Sequence, residues 1–199
     1  MNQISELLNW ISTGLLVPTI VLLILLFLRS LALLGGCFGQ WQQARRWQVW
    51  GKAHLDTLTP STLPTLAQQL PKQGPLVLSY LQDLLSHIDS SAHSERILAQ
   101  YEAAADGQLD TPRTLAKMGP ILGLMGTLIP MGPALAGLAS GDIASMAYNM
   151  QVAFATTVVG LVVGAIGSLT MQVQRRWNTQ ALSQLEFVAS LHHDTTTKP

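Results

Sequence analysis

The chain has 199 residues, 48% of them hydrophobic and only 11% charged, with a mean hydropathy of +0.31. Ordinary globular domains carry about 25% charged residues, so the composition excludes a soluble enzyme of ordinary type and requires lipid to cover part of the apolar surface. Lys+Arg and Asp+Glu both total 11, which leaves no basic field for nucleic acid, and the single cysteine, Cys37, excludes a disulfide framework or a structural zinc cluster.

Residues 11–28 (ISTGLLVPTIVLLILLFL) run for 18 positions without a charge. At about 1.5 Å per residue that crosses a hydrocarbon core of about 30 Å. With the SLALLGGCF that follows Arg29, they predict a first transmembrane helix over 11–36, with Trp10 at one interface and Arg29 snorkelling toward the other. Residues 1–10 contain Glu6 and no Lys or Arg, unlike the basic start of a cleavable signal peptide. The helix is therefore read as retained, and residues 1–10 as an N-terminus on the outer, periplasmic side.

Residues 37–117 read as a cytoplasmic helical region. It opens with QWQQARRWQVW and passes through TLTPSTLPTL. Helical spacing follows at Val77, Leu81, Leu84, Leu85 and Ile88 after Pro75, and again at Ile97, Leu98, Tyr101 and Ala105. Trp41, Trp47 and Trp50 with Arg45 and Arg46 fit an interfacial aromatic and basic belt better than a patch for nucleic acid or anionic lipid. Cys37 fits a small apolar residue at the membrane edge, with palmitoylation as the alternative.

Between Met118 and Gln174 only Asp142 carries a charge. This predicts a second span over 118–139, a short outer turn over 140–148 (SGDIASMAY) and a third span over 149–173, joined as an antiparallel hairpin. Residues 174–199 form a cytoplasmic helix and tail, with Trp177, Ala181, Leu185, Val188 and His192 on one stripe. Arg45, Arg46, Lys52, Lys72, Arg96, Arg113 and Lys117 fall in the middle region, and Arg175, Arg176 and Lys198 in the tail. The first dozen residues and the 140–148 turn hold none, so the positive-inside bias places the N-terminus outside and the C-terminus in the cytoplasm.

No run alternates with period two, so the predicted fold class is all-α: a polytopic membrane protein with three transmembrane helices and a helical cytoplasmic region. His54, His87, His93, His192 and His193 lack the spacing and carboxylate company of a metal site. No GxxxxGK[ST], GxSxG or HExxH occurs, and no His lies in a span. No metal, cofactor or catalytic residue is expected, and the chain reads as a non-enzyme.

Span two places Gly119, Gly123, Gly126, Thr127 and Pro130 on one side, and span three does the same with Thr157, Gly160, Gly164 and Ser168. Small residues let helix backbones approach closely in lipid. Tight packing, with each Thr hydroxyl bonded back to its own helix, is one reading of this pattern. The other is a narrow wet path, formed when several copies surround it and lined by the mid-span hydroxyls Thr127, Thr156 and Thr157. No Asp, Glu, His or Lys lies within spans two and three, and Thr does not titrate near neutral pH, so a proton path would need a carboxylate from another chain. Pro130 and Pro133 each delete a helix hydrogen bond and predict a bend in the outer half of span two.

The segment GPILGLMGTLIPM, followed about thirty residues later by AFATTVVGLVVGAI, resembles the MotA/TolQ/ExbB proton channel family, in its three-span TolQ/ExbB-like branch. The motif match covers roughly residues 115–175. The resemblance implies a pentameric ring in the bacterial inner membrane, with the second and third helices lining a central pore. It also implies a partner resembling ExbD, TolR or MotB, whose single membrane helix carries an Asp inside that pore. Thr127 and Thr157 match the family's pore threonines, whose implied role is to face that Asp and help relay the proton. ExbB-like members carry a Glu five residues before the second of these threonines; this chain has Val152 there, so no role of that Glu carries over. The function so implied is the pore-forming subunit of a motor driven by the proton motive force, of the kind used in protein transport. A non-conducting membrane scaffold assembled through its Gly-rich helix faces is the alternative.

Overall fold

The computed structural model describes residues 4, 7, 10, 11, 13–54, 70, 74–87 and 90–196, and the long regular elements among them are all α-helices. In chain order these are α1 (Leu16–His54), α2 (Leu76–Ser86), α3 (Ser91–Gln108), α4 (Asp110–Ser140) and α5 (Ile143–Thr196). Glu6, Lys72, Ile88, Lys198 and the TLTPSTLPTL stretch lie outside the described residues, as do the side chains of Lys52, His54, His192 and His193. Three of the helical stretches are long and apolar enough to cross a membrane: Leu16–Gly51, Ser91–Ser140 and Ile143–Leu191.

Helix α1 continues for 39 residues, well past the end of its apolar run. The polar sequence that follows Gly39 is rich in Gln, Ala and Arg, all good helix formers, and holds no proline, so nothing in it stops the helix. Between α4 and α5 only Gly141 and Asp142 are non-helical, a tighter turn than the 140–148 segment suggested. Gly141 takes φ +78°, the left-handed conformation that glycine adopts without penalty, and the Asp142 N–H donates to Gly137 O at 2.8 Å. Asp142 then caps α5, its Oδ1 accepting the Ser145 N–H at 3.0 Å. This cap lets α5 begin at Ile143 and turns residues 143–148 from loop into helix.

The chain divides into two compact units. The first comprises residues 1–34 and 111–171. Its α1 portion buries Thr19, Leu23 and Ser30, with the hydroxyls of Thr19 and Ser30 returned to Leu15 O and Phe27 O, both at 2.7 Å. Arg29 is exposed and donates to Thr111 Oγ1 at 3.3 Å. Within this unit Val21, Leu25, Leu28, Leu124, Leu128, Leu135, Phe154, Val158, Leu161 and Leu169 all face outward, an apolar surface that needs lipid or other chains to cover it.

The second unit comprises residues 35–110 and 172–199. Its core joins Trp47 to Val77, Leu78, Leu81 and Leu84 of α2, to Ile97, Tyr101 and Ala105 of α3, and to Ala181, Leu185 and Val188 of α5. These are largely the apolar positions read from helical spacing. Trp47 departs from the belt reading: it is buried, stacked on Trp50 at 5.0 Å, and donates its Nε1–H to Gln184 Oε1 at 2.8 Å. Trp41 remains exposed, with the Arg45 guanidinium 4.3 Å from its ring centre. Burial pushes the Tyr101 phenol up to about 12.

Candidate functional site

Helices α4 and α5 meet through their glycines. A methyl added at Gly160 would lie 2.6 Å from Gly119 O and 2.7 Å from Gly123 Cα, and one added at Gly119 would lie 2.7 Å from both Gly160 O and Gly164 N. The two backbones therefore touch, as in small-residue crossings of membrane helices. Gly164 accommodates the Pro120 ring, whose Cγ would be 2.7 Å from an added methyl. Gly126 faces the Thr156 side chain, with Oγ1 at 2.5 Å and Cβ at 2.6 Å from the position of its missing Cβ.

The crossing brings the three threonines to one level. Gly123 sits beside the carbonyls of Thr156 and Thr157, each 3.5 Å from its missing Cβ, while Gly126 abuts the Thr156 side chain. Thr127 follows directly after Gly126, so the Thr127 and Thr157 positions lie within about one turn of each other along the antiparallel pair. Their environments differ. Thr156 is buried inside the crossing, whereas Thr127 and Thr157 are half-buried on its rim. Every one of these hydroxyls donates to its own helix: Thr127 to Leu124 O at 2.7 Å, Thr157 to Ala153 O at 3.0 Å, and Thr156 to Ala153 O at 2.9 Å and Val152 O at 3.0 Å. Their oxygen lone pairs remain as acceptors.

On α4, Gly119, Gly123, Gly126 and Pro130 are buried together. On α5 the buried stripe runs through Ala153, Thr156, Gly160, Val163, Gly164, Gly167 and Thr170, and Ser168 is only half-buried. Gly167 is a packing residue that the sequence reading missed. An added methyl there would collide with Ala116 N and lie 2.8 Å from Pro112 O, and the available signal was its place seven residues after Gly160. α4 runs through Pro120, Pro130 and Pro133 as one helix of 31 residues. Pro130 is fully buried and Pro133 half-buried. Because proline lacks an N–H, the carbonyls of Gly126 and Ile129 lose their usual helical donors at the level of the threonines and just beyond. Among the described residues no group of three His, Cys, Asp or Glu side chains converges as metal ligands would.

A profile of the MotA/TolQ/ExbB proton channel family matches residues 74–186, more than half of the chain. The match takes in α2, α3, α4 and most of α5. A search of curated proteins gives no significant match.

Proposed function

The chain belongs to the MotA/TolQ/ExbB proton channel family, and on that premise we propose that this integral membrane protein is the pore-lining subunit of a proton-driven motor in the bacterial inner membrane. Its N-terminus lies outside and its C-terminus in the cytoplasm. Several copies, five by the family resemblance, surround one membrane helix of a partner resembling ExbD, TolR or MotB. The chain catalyses no reaction of its own; it moves an ion and passes the resulting force to the partner. The observation that carries this reading is the pair Thr127 and Thr157. They are the hydroxyls at mid-hairpin that stay half-open at the edge of the packed crossing, in spans that hold no Asp, Glu, His, Lys or Arg between Met118 and Gly141 or between Ile143 and Gln174.

The hydroxyl geometry favours a particular exchange. With its proton committed to Leu124 O or Ala153 O, each rim threonine presents only acceptor lone pairs outward. A protonated Asp on the partner can donate to such an oxygen. An ionised Asp needs a donor instead, which the hydroxyl supplies by rotating about χ1 and leaving its carbonyl. Thr127 and Thr157 thus suit either protonation state of the partner's carboxyl while neither titrates. Each proton crossing the membrane supplies about 2.3 kcal/mol per 100 mV, so repeated transfers are needed to do sustained work.

The test is the double variant Thr127→Val with Thr157→Val. The chain is co-purified with its single-span partner, reconstituted in vesicles with an imposed potential, and proton flux is followed by a pH-sensitive dye. The expected result is loss of flux with the complex intact by mass; unchanged flux rejects the proposal. The scaffold alternative draws on the hydroxyls all being bonded to their own helices and the glycines filling the crossing. It requires that the unaltered complex carry no flux at all.

A further inference from the structure

Arg29 directly follows the 18 uncharged residues 11–28, about 27 Å of helix. Thr111, to which it is hydrogen-bonded, stands seven positions before Met118, where the charge-free run of α4 begins, or about 10 Å along the axis. Both measures set the pair at the edge of a hydrocarbon core of about 30 Å, in the headgroup layers that widen a bilayer to about 40–45 Å. Arg29 and Thr111 belong to the same compact unit.

The charge on Arg29 is exposed and uncompensated. Its Nη2 donates to Thr111 Oγ1 at 3.3 Å, a long bond to a neutral acceptor. Among the described residues no carboxylate pairs with it. A guanidinium carries five N–H donors, so most of them stay open. Thr111 Oγ1 accepts from Arg29 and so keeps its own proton to donate. Together the two side chains offer a cation and a hydroxyl donor side by side, the chemistry that holds two oxygens of one oxyanion. The surface beside them is apolar. Leu25 and Leu22 lie four and seven positions before Arg29 on the same side of α1, toward the middle of the span, and both are exposed. Charged side chains at membrane depth find a counter-charge or reach the interface, and this chain supplies no counter-charge here.

We propose that Arg29 and Thr111 bind the phosphate of an anionic phospholipid, the guanidinium and the hydroxyl on its non-bridging oxygens and an acyl chain along Leu25 and Leu22. The fork of arginine matches phosphate in shape as well as charge. The two polar groups alone would suit a soluble phosphate equally well. The exposed leucines in line with Arg29 select the amphiphile, because they continue the site in the direction in which a lipid's chains must run.

The full chain is purified in a neutral detergent and supplied with phosphatidylglycerol and phosphatidylcholine in equal amounts, and the lipids it retains are counted by native mass spectrometry. Phosphatidylglycerol is expected in excess, and Arg29→Gln should lower that excess about fivefold, the weight of one interfacial arginine. Arg29→Lys should keep most of it, and Thr111→Val should reduce it by a smaller factor. Arg175→Gln removes an exposed arginine that follows the charge-free run of α5 and should leave the excess unchanged. Circular dichroism checks that each variant is folded; should Arg29→Gln lose helicity, Thr111→Val carries the test. No preference in the parent, or the parent's excess retained in Arg29→Gln, overturns the proposal. So does an equal loss in Arg175→Gln, the mark of diffuse attraction. A smaller assembly for Arg29→Gln with its lipid excess intact would assign the cation to a carboxylate of another copy and overturn it as well. None of these variants alters Thr127 or Thr157, so proton flux judges the pore reading separately.

Discussion

Gly160→Ala inserts one methyl where the structure leaves no room for it. The new carbon would sit 2.6 Å from Gly119 O, 2.7 Å from Gly123 Cα and 3.0 Å from Gly123 N, all of them backbone atoms of α4 that no rotamer change can move. Restoring an ordinary contact of 3.4 Å forces α4 and α5 apart by about 0.8 Å at this point, which also loosens the neighbouring contacts at Gly119 and Gly164. Overpacking of this kind costs about 1–3 kcal/mol. Alanine's better helix propensity returns up to about 1 kcal/mol, so the net expectation is a loss of about 1–2 kcal/mol. The control is Gly132→Ala in α4, where nothing lies within 4 Å of the added methyl; it makes the same chemical change without a collision and should be neutral or slightly stabilising. Both variants are compared with the parent by titrating mixed micelles with a denaturing detergent and following helicity. If Gly160→Ala unfolds at the parent's midpoint, or Gly132→Ala is as damaging, the close crossing is wrong.

Gly126→Ala collides with the Thr156 side chain rather than with backbone, so it should destabilise, and Thr156→Gly in the same chain should recover part of the loss although either change alone is harmful. A double-mutant cycle in the same micelle titration measures that coupling. Leu84→Ala, at a side chain with 0% exposure in the core of the second unit, should cost about 2–5 kcal/mol, read as an earlier thermal transition. Tyr101, raised by burial to about 12 from the usual 10, binds its proton more tightly folded than unfolded. Its contribution to stability is therefore complete below pH 10 and is lost as pH climbs from 10 toward 12. Tyr101→Phe should flatten that part of the stability profile, and an unchanged slope would show that the phenol is not sealed.

The sequence made much of this architecture legible, and its misses have local causes. The apolar spacing of Val77, Leu81, Leu84, Ile97, Tyr101, Ala105, Ala181, Leu185 and Val188 marked the core of the second unit because burial enforces the helical period. Hydropathy marks where lipid ends but not where a helix ends, so it was silent on the run of α1 from residue 37 to His54. The turn between α4 and α5 looked nine residues long because Ser, Gly and Asp all favour loops, yet the Asp142 cap and the left-handed Gly141 suffice to reverse the chain. Trp47 looked interfacial because it stands beside Arg45 and Arg46. What buries it is a core shared with residues distant in sequence, among them Ala181, Leu185 and Val188, and its N–H bonds to Gln184, 137 positions away, none of which a local pattern reveals.

The site shows the same boundary more sharply. On α4 the glycines read as one face are buried as one face. On α5 the reading followed Thr157, Gly160, Gly164 and Ser168, whereas burial follows Thr156, Gly160, Gly164 and Gly167. Both sets obey helical spacing and share two glycines, because neighbouring stripes differ by only about 100° around the helix axis. Periodicity within one helix cannot choose between them; only the line along which the opposing helix lies can. That line runs through Gly126 and Gly119, and it separates two adjacent, chemically identical residues. Thr156 is pressed against Gly126 and sealed, while Thr157 is left with Thr127 at the edge. A crossing this close requires small residues on its axis, and by drawing the backbones together it raises whatever stands one residue to the side onto an exposed rim. The glycines that pack the hairpin are thus also what sets its two rim hydroxyls at one depth, so that under the proposed function a variant that widens this helix contact should impair both packing and proton flux.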